Sequence, residues 1–132
     1  MASDMSLELR LQDILIACKV ADWYSTDVVI DYDIDQSLGI LFADGRIVFY
    51  DGSILEFTET VTPDRFRYRY HYMDVEKNLI FRYDNVPHHR EIPSFPDHKH
   101  YPTEVVESEA VHLRQVIEEI IGVIIDEADK NN

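Results

Sequence analysis

Residues 65–72 restrict the fold more than any other segment, because basic and aromatic side chains alternate there without a break. The basic or imidazole side chains are Arg65, Arg67, Arg69 and His71, and the aromatic side chains are Phe66, Tyr68, Tyr70 and Tyr72. An extended strand places alternate residues on opposite faces of a sheet. The segment is therefore predicted to be a strand with an aromatic face in the core and a basic face toward solvent.

Neighbouring segments predict further strands of the same sheet. Alternating apolar and acidic residues indicate a half-buried strand over residues 28–35. Within residues 38–50, Asp44-Gly45 fits either a tight hairpin turn or a bulge in one long strand, and we prefer the bulge. Asp51-Gly52 predicts a hairpin into the next strand. After the strand at 65–72 and a turn, residues 79–84 are predicted to return as another strand.

Helices are predicted near both ends of the sequence. Apolar residues at mixed three- and four-residue spacing indicate an amphipathic helix over residues 6–21, with Ser6 as its N-cap. A second apolar pattern predicts a C-terminal helix that begins at about Thr103 or Ser108 and ends at Glu127. This helix should cover one face of the sheet, because a sheet with an apolar face must bury it against another element.

These elements predict the fold class. With 132 residues, the chain is expected to be a single α+β domain over residues 1–132. Its antiparallel meander sheet should contain about five strands, packed by an N-terminal and a C-terminal helix. The one cysteine, Cys18, lies in an apolar helical stretch, so it is expected in the core and has no partner for an internal disulfide.

The formal net charge of −14 argues at first against a nucleic-acid partner, because phosphate binding depends on Lys and Arg. The charge is unevenly distributed. Residues 65–100 hold seven basic and five acidic residues together with five of the six histidines, so this window carries +2 and the remaining residues carry −16. The acidity therefore belongs to the flanking segments, where it indicates a solvated surface or a basic partner protein.

The sequence gives no indication of export or membrane insertion. It begins without a basic leader, and its longest apolar cluster, over residues 117–125, is interrupted by Glu118 and Glu119. The cytoplasm is therefore the expected location, and no membrane contact is expected. The composition is globular, so the chain should fold alone or as a homo-dimer.

Residues 85–102 are predicted to be a long loop, because four prolines prevent a regular helix or a central strand. A connection of this length inside a compact domain is more often functional than incidental. The loop carries four of the six histidines, which are His88, His89, His98 and His100.

These histidines allow three interpretations of their role. Imidazoles have the pKa best suited to general acid and base catalysis, so one could take a 2′-hydroxyl proton from RNA while another protonates the leaving 5′-oxygen. Converging imidazoles could instead ligate Zn²⁺. The third reading is a loop held in place by neutral histidines that hydrogen-bond to backbone carbonyls. In the first reading, Arg82, Arg90 and Lys99 would neutralise phosphoryl charge, and Tyr70 or Tyr83 would donate a proton or stack on a base.

Other polar motifs in the sequence are weaker indications of a functional site. The spacing Asp31-x-Asp33-x-Asp35 invites a calcium-loop interpretation, but Gln36 and Phe42 stand where that loop needs Gly and Glu. His112 stands alone on the C-terminal helix and is expected to be structural. His71 lies on the basic strand face, where it is expected to face substrate or to support a residue that does.

Three runs within residues 67–100 have a distinctive composition. They read RYHYMD from Arg69, LIFRYDNVPHH from Leu79 and IPSFPDHKH from Ile92. This combination resembles TumE-type proteins, which are toxin components of bacterial and archaeal toxin–antitoxin pairs. The residues that match the family's histidine motifs are His88, His89, His98, Lys99 and His100.

The resemblance implies a toxin held in check by a cognate antitoxin protein, and an association with small toxin folds implies RNA cleavage. We expect a metal-independent endoribonuclease with no cofactor, whose catalytic residues are His88, His89, His98 and His100. The residues expected to bind RNA are Arg67, Arg69, His71, Arg82, Tyr83, Arg90 and Lys99. The alternative is a non-catalytic regulatory or binding module whose histidine-rich loop is a docking surface or a metal site.

Overall fold

The computed structural model describes residues 6–130, which form a seven-stranded antiparallel sheet with a helix at each end of the chain. The elements are α1 (Leu7–Asp22), β1 (Ser25–Asp35), β2 (Ile40–Phe49), β3 (Ile54–Val61), β4 (Phe66–Met73), β5 (Leu79–Asp84), β6 (His98–Tyr101), β7 (Glu104–Glu107) and α2 (Leu113–Lys130). The strand order in the sheet is the order in the chain. The predicted α+β meander is confirmed, with seven strands instead of about five.

Helix α1 begins where the sequence predicts. The Ser6 hydroxyl accepts a hydrogen bond of 3.1 Å from the Leu9 amide, which satisfies one of the free N–H groups of the first turn. The helix buries Ile14, Ala17 and Cys18 against the core. None of the helices within residues 6–130 is long and apolar enough to cross a membrane.

Strand β2 is continuous through Asp44-Gly45, so the predicted bulge at this dipeptide is wrong and the prediction of one long strand is correct. The register with β1 and β3 shows no shift at either residue. Glycine is required here for another reason. A Cβ atom at Gly45 would lie 2.5 Å from the Phe57 ring, which packs over the glycine from β3. The Phe57 side chain thus fills the space that a side chain on β2 would occupy.

The hairpin predicted at Asp51-Gly52 is confirmed. The Asp51 carboxylate accepts a 2.9 Å hydrogen bond from the Ser53 amide, and Gly52 adopts a φ of 87°, which a residue with a Cβ atom rarely adopts. The turn between β4 and β5 is closed in a similar way. Asp74 accepts hydrogen bonds of 2.9 Å from the amides of Glu76 and Asn78.

The predicted loop over residues 85–102 is wrong at its C-terminal end, where β6 pairs with β5 and then with β7. Pro96 and Pro102 lie outside β6, so neither removes a donor from the ladder. The predicted start of the last helix at Thr103 or Ser108 is also wrong. The β-branched pair Val105-Val106 lies in β7, and α2 begins at Leu113.

Both helices cover one face of the sheet, which we call the helix face. The core cluster joins apolar residues of α1 and α2 to alternate residues of β2 to β5, including Tyr68, Tyr70 and Tyr72 of β4. The aromatic face predicted for this strand is therefore confirmed. The opposite side of the sheet, which we call the open face, carries the alternate polar positions of β4 and β5.

Candidate active site

The strand register aligns basic, acidic and imidazole side chains across the open face. Cross-strand partners in an antiparallel sheet project from the same side. Arg69 lies opposite Asp84 and His71 lies opposite Arg82 where β4 pairs with β5. On the next strand, His100 lies opposite Arg82 and His98 lies opposite Asp84. These residues form a row that runs from the middle of the sheet toward its β7 edge.

Asp84 is the centre of this row, although only 3% of the residue is exposed. Its Oδ1 atom lies 2.8 Å from Nε2 of His98, and its Oδ2 atom lies 3.3 Å from Nε2 of His100. The Arg82 Nε atom donates to Oδ2 at 3.0 Å, and the Val86 amide donates to Oδ1 at 3.1 Å. One buried carboxylate thus lies against two imidazoles and a guanidinium.

His98 has both ring nitrogens engaged. Its Nδ1 atom lies 2.7 Å from the carbonyl oxygen of Pro96, which can only accept, so Nδ1 carries a hydrogen. Nε2 then donates to Asp84 only when the ring is an imidazolium. In the neutral ring, Nε2 presents a lone pair to the carboxylate. His98 is 2% exposed, and its two nitrogens face Pro96 and Asp84, so the ring is closed off from solvent.

The segment between β5 and β6 folds back and brings the His89 ring against those of His98 and His100. The His89 ring centroid lies 5.3 Å from that of His98 and 5.6 Å from that of His100. Its Nδ1 atom lies 3.3 Å from a carboxylate oxygen of Glu91. We call Asp84, His89, His98 and His100 the histidine cluster. His88 is exposed and lies outside this cluster.

Two side chains that the sequence did not single out hold this segment in place. Asn85 accepts from the Tyr68 amide at 3.0 Å and donates to the Phe66 carbonyl at 2.8 Å, which continues the ladder beyond the end of β5. Asp97 accepts a 2.6 Å hydrogen bond from the Tyr68 hydroxyl. The sequence did not point to Asp84 as a site residue either. Its position two residues after Arg82, at the end of a strand beside the histidines, was the available signal.

Burial and neighbouring guanidinium groups keep two histidines of the open face neutral. The pKa of His100 is lowered by burial and by Arg82, and these effects outweigh the opposite effect of Asp84. The pKa of His71 is lowered by burial, and then by Arg69 and Arg82. Both rings are therefore proton acceptors at neutral pH.

Tyr83 and Lys99 lie on the helix face, on the other side of the sheet from the histidine cluster. They are cross-strand partners, and both contact Glu119 of α2. The Tyr83 hydroxyl donates to Glu119 at 2.7 Å, and the Lys99 ammonium group lies 2.9 Å from the same carboxylate. These two residues attach α2 to the sheet and are not brought together with the other residues expected to bind RNA.

The remaining expected RNA-binding residues are distributed around the cluster. Arg67 and Arg69 project from the open face of β4, where their cross-strand partners on β3 are Thr60 and Thr58. Arg69 and His71 also line a groove of about 220 Å³ on this face. Arg90 is exposed in the segment before β6, with its guanidinium carbon 5.3 Å from the Phe95 ring centroid.

The family model described as toxin TumE matches residues 15–128, which is most of the chain. The chain belongs to the TumE toxin family. The match extends well beyond the runs within residues 67–100 that carry the resemblance, and it includes every residue of the histidine cluster. No curated protein and no solved structure shows a significant match. Membership of the TumE family supports a toxin role and leaves the chemistry to be inferred from the site.

Proposed function

We propose that this TumE-family toxin cleaves RNA in the cytoplasm by metal-independent acid–base catalysis at the histidine cluster, and that a cognate antitoxin protein restrains it. The observation that carries the proposal is the buried carboxylate of Asp84, which holds two imidazoles beside Arg82 on the open face. Imidazole is the side chain whose ordinary pKa is best suited to proton transfer near neutral pH.

In the proposed reaction, His100 is the general base. With its Nε2 directed at Asp84, Nδ1 is the nitrogen left to take the proton of an RNA 2′-hydroxyl. The 2′-oxygen then bonds to phosphorus, and the bond from phosphorus to the 5′-oxygen breaks. His89 in its protonated form donates to that 5′-oxygen, giving a 2′,3′-cyclic phosphate and a 5′-hydroxyl. Its side chain is 37% exposed, so solvent can restore its proton.

Asp84 and His98 are positioning residues in this scheme. Asp84 lies 3.3 Å from Nε2 of His100 and would stabilise the positive charge that this ring acquires, as a carboxylate does beside a catalytic histidine. His98, fixed between Asp84 and the Pro96 carbonyl, keeps the carboxylate in place. Arg82 is close enough to share its charge between Asp84 and a phosphoryl oxygen of the substrate.

Cleavage assays on purified protein test the proposal. Wild-type protein should cut cellular RNA equally well with and without EDTA, and the ends should be a cyclic phosphate and a 5′-hydroxyl. His100→Ala should reduce the rate about 10²–10⁴-fold, because it removes the general base. His112→Ala is the matched control, since this histidine is exposed at the start of α2 away from the cluster, and its rate should be unchanged. Absence of cleavage by clean wild-type protein, or an unaltered rate for His100→Ala, would contradict the proposal.

The second candidate is a non-catalytic regulatory or binding module with a metal-binding loop. It is favoured by one observation, namely that Asp84, His98 and His100 each offer a ligand atom and that these atoms lie within 4.8 Å of one another. Tight Zn²⁺ binding together with no RNA cleavage by the metal-free protein would favour this candidate over the nuclease.

A further inference from the structure

We propose that Asp84, His98 and His100 form a binding site for a divalent transition-metal ion of the Zn²⁺ type, and that binding of this ion switches off the RNA cleavage proposed above. The existence of the site is independent of the nuclease. Only its inhibitory effect rests on the proposed function.

The distances of the three side chains fit such an ion. Zn²⁺ is bound by imidazole nitrogen and carboxylate oxygen at about 2.0–2.2 Å in tetrahedral geometry, which separates neighbouring ligand atoms by about 3.3 Å. His100 Nε2 lies 3.3 Å from Oδ2 of Asp84, and His98 Nε2 lies 2.8 Å from Oδ1. The candidate ligand atoms of the three side chains all lie within 4.8 Å of one another, which is close enough to converge on one ion.

The hydrogen bonds around His98 and Asp84 present the correct atoms as ligands. Histidines that bind metals usually donate their other ring N–H to a carbonyl or a carboxylate, which fixes the tautomer. Nδ1 of His98 does so to Pro96, which leaves the Nε2 lone pair directed at the cluster. Asp84 offers two oxygens to the ion, Oδ1 beside His98 and Oδ2 beside His100, and Oδ2 also accepts from Arg82.

His100 provides an independent observation. Its Nε2 atom is buried and has no hydrogen-bond partner among the described residues. A buried polar atom without a partner is unfavourable, and a cation at the centre of the cluster would satisfy it. His89 packs against both rings but is not one of the side chains whose ligand atoms converge, so the fourth position is open to water.

Metal binding and proton transfer exclude each other at His100. An ion ligated by Nε2 uses the lone pair of that nitrogen, so the one hydrogen of the neutral ring lies on Nδ1, the nitrogen that would otherwise accept the 2′-hydroxyl proton. The general base of the proposed reaction is thereby lost. Hard cations such as Mg²⁺ prefer oxygen ligands and should not produce this effect.

The test uses the full chain stripped of metals with a chelator. Co²⁺ is titrated in as a spectroscopic probe, and Zn²⁺ is then added to displace it. We expect one equivalent of Co²⁺ per chain with visible absorption bands of a tetrahedral site, complete displacement by Zn²⁺, and no competition from Mg²⁺. His100→Gln should weaken Zn²⁺ binding about 10–100-fold or more. His112→Gln should bind Zn²⁺ as the wild type does, and circular dichroism checks that both variants are folded.

RNA cleavage by the same samples separates the two proposals. Inhibition by one equivalent of Zn²⁺ and recovery with EDTA support the switch. Zinc binding with no cleavage in either state leaves the metal site intact and refutes the nuclease. Cleavage that persists with Zn²⁺ bound, or that requires Zn²⁺, overturns the inhibitory role. Failure to bind Co²⁺, or equal Zn²⁺ affinity in the wild type and in folded His98→Gln and His100→Gln variants, overturns the site itself.

Discussion

Asp84 shows how much of this site depends on a single residue. Its carboxylate, at the C-terminal end of β5, contacts two imidazoles, a guanidinium and a backbone amide. The buried ring of His98 has no other partner for Nε2 within residues 6–130. The chemistry at residue 84 therefore determines both the stability of the site and its ability to hold positive charge.

Replacements of Asp84 should separate these two properties. Asp84→Asn keeps the shape of the side chain and an acceptor oxygen for the Val86 amide, so the fold should tolerate it. Asp84→Ala leaves His98 and Val86 unpaired, and it should be less stable than Asp84→Asn by about 1–3 kcal/mol. Urea unfolding measures the difference. Equal stability of the two variants would contradict the hydrogen bonds described for Asp84, and both variants should lose RNA cleavage.

Glu59 on the helix face predicts a pH dependence of stability. Burial raises the pKa of this carboxyl group, although the Tyr70 hydroxyl, which donates to it at 2.8 Å, and Arg10 act in the opposite direction. A raised pKa in the folded state means that the contribution to stability is fully present below the ordinary pKa of glutamate. It is lost as the pH rises through the raised value.

Glu59→Gln removes this titration and retains an acceptor for Tyr70. The unfolding free energy of the variant minus that of the wild type should therefore increase as the pH is raised from about 4 toward neutrality. Urea unfolding at a series of pH values gives the difference directly. A difference that is flat or falls over this range would show that Glu59 is not held with a raised pKa.

At the level of elements, β4 and β6 show what the sequence could and could not predict. The alternation in β4 spans eight residues, and its aromatic half packs in the core as expected. Strand β6 has four residues, and its pairing with β5 is a contact between segments that no local pattern reveals. The spacing of His98 and His100 becomes meaningful only in a strand, where residues two apart share a face.

Substitutions on the open face and on the helix face should affect RNA binding differently. Changing Arg67 and Arg69 together to Gln should lower RNA affinity and reduce the salt slope by about two units, one for each lost phosphate contact. The thermal midpoint should be unchanged, since both side chains project from the sheet surface. Binding measured over a series of salt concentrations tests this expectation.

Lys99→Gln is the matched control for that experiment. It also removes a positive charge, but the Lys99 side chain points at Glu119 on the helix face. RNA affinity should therefore remain that of the wild type. Equal affinity of the Arg67/Arg69 double variant and the wild type at every salt concentration would show that the row of arginines on β4 is only a solvated surface.

At the level of the whole molecule, the sequence was sufficient for the class of fold, and it indicated residues 85–100 as the candidate site. The helices, the meander and the involvement of residues 85–100 follow from periodicity and composition. The identity of the central carboxylate does not, because Asp84 acquires its role only when β6 pairs beside it. The same pairing separates Lys99 from its neighbours His98 and His100, which are adjacent in sequence but on the opposite side of the sheet.

The growth rate of cells that express this chain without the proposed antitoxin tests the proposed toxic activity. Expression should slow growth, and His89→Ala combined with His100→Ala should relieve the effect. These two positions are preferable to His98, because truncation of a side chain that is 2% exposed and bonded at both nitrogens would also destabilise the fold. Soluble expression and a cooperative thermal transition verify that the double variant folds. Undiminished toxicity of that folded variant would rule out His89 and His100 as the active groups.

The meander has a consequence for how the toxin comes into being. Each strand pairs with the one made immediately before it, so the sheet can grow in step with synthesis, without waiting for a distant part of the chain. The histidine cluster is different, since its last members arrive with β6, after five strands are already available to pair. A nascent chain can therefore pair β1 to β5 before His98 and His100 of β6 have been synthesised.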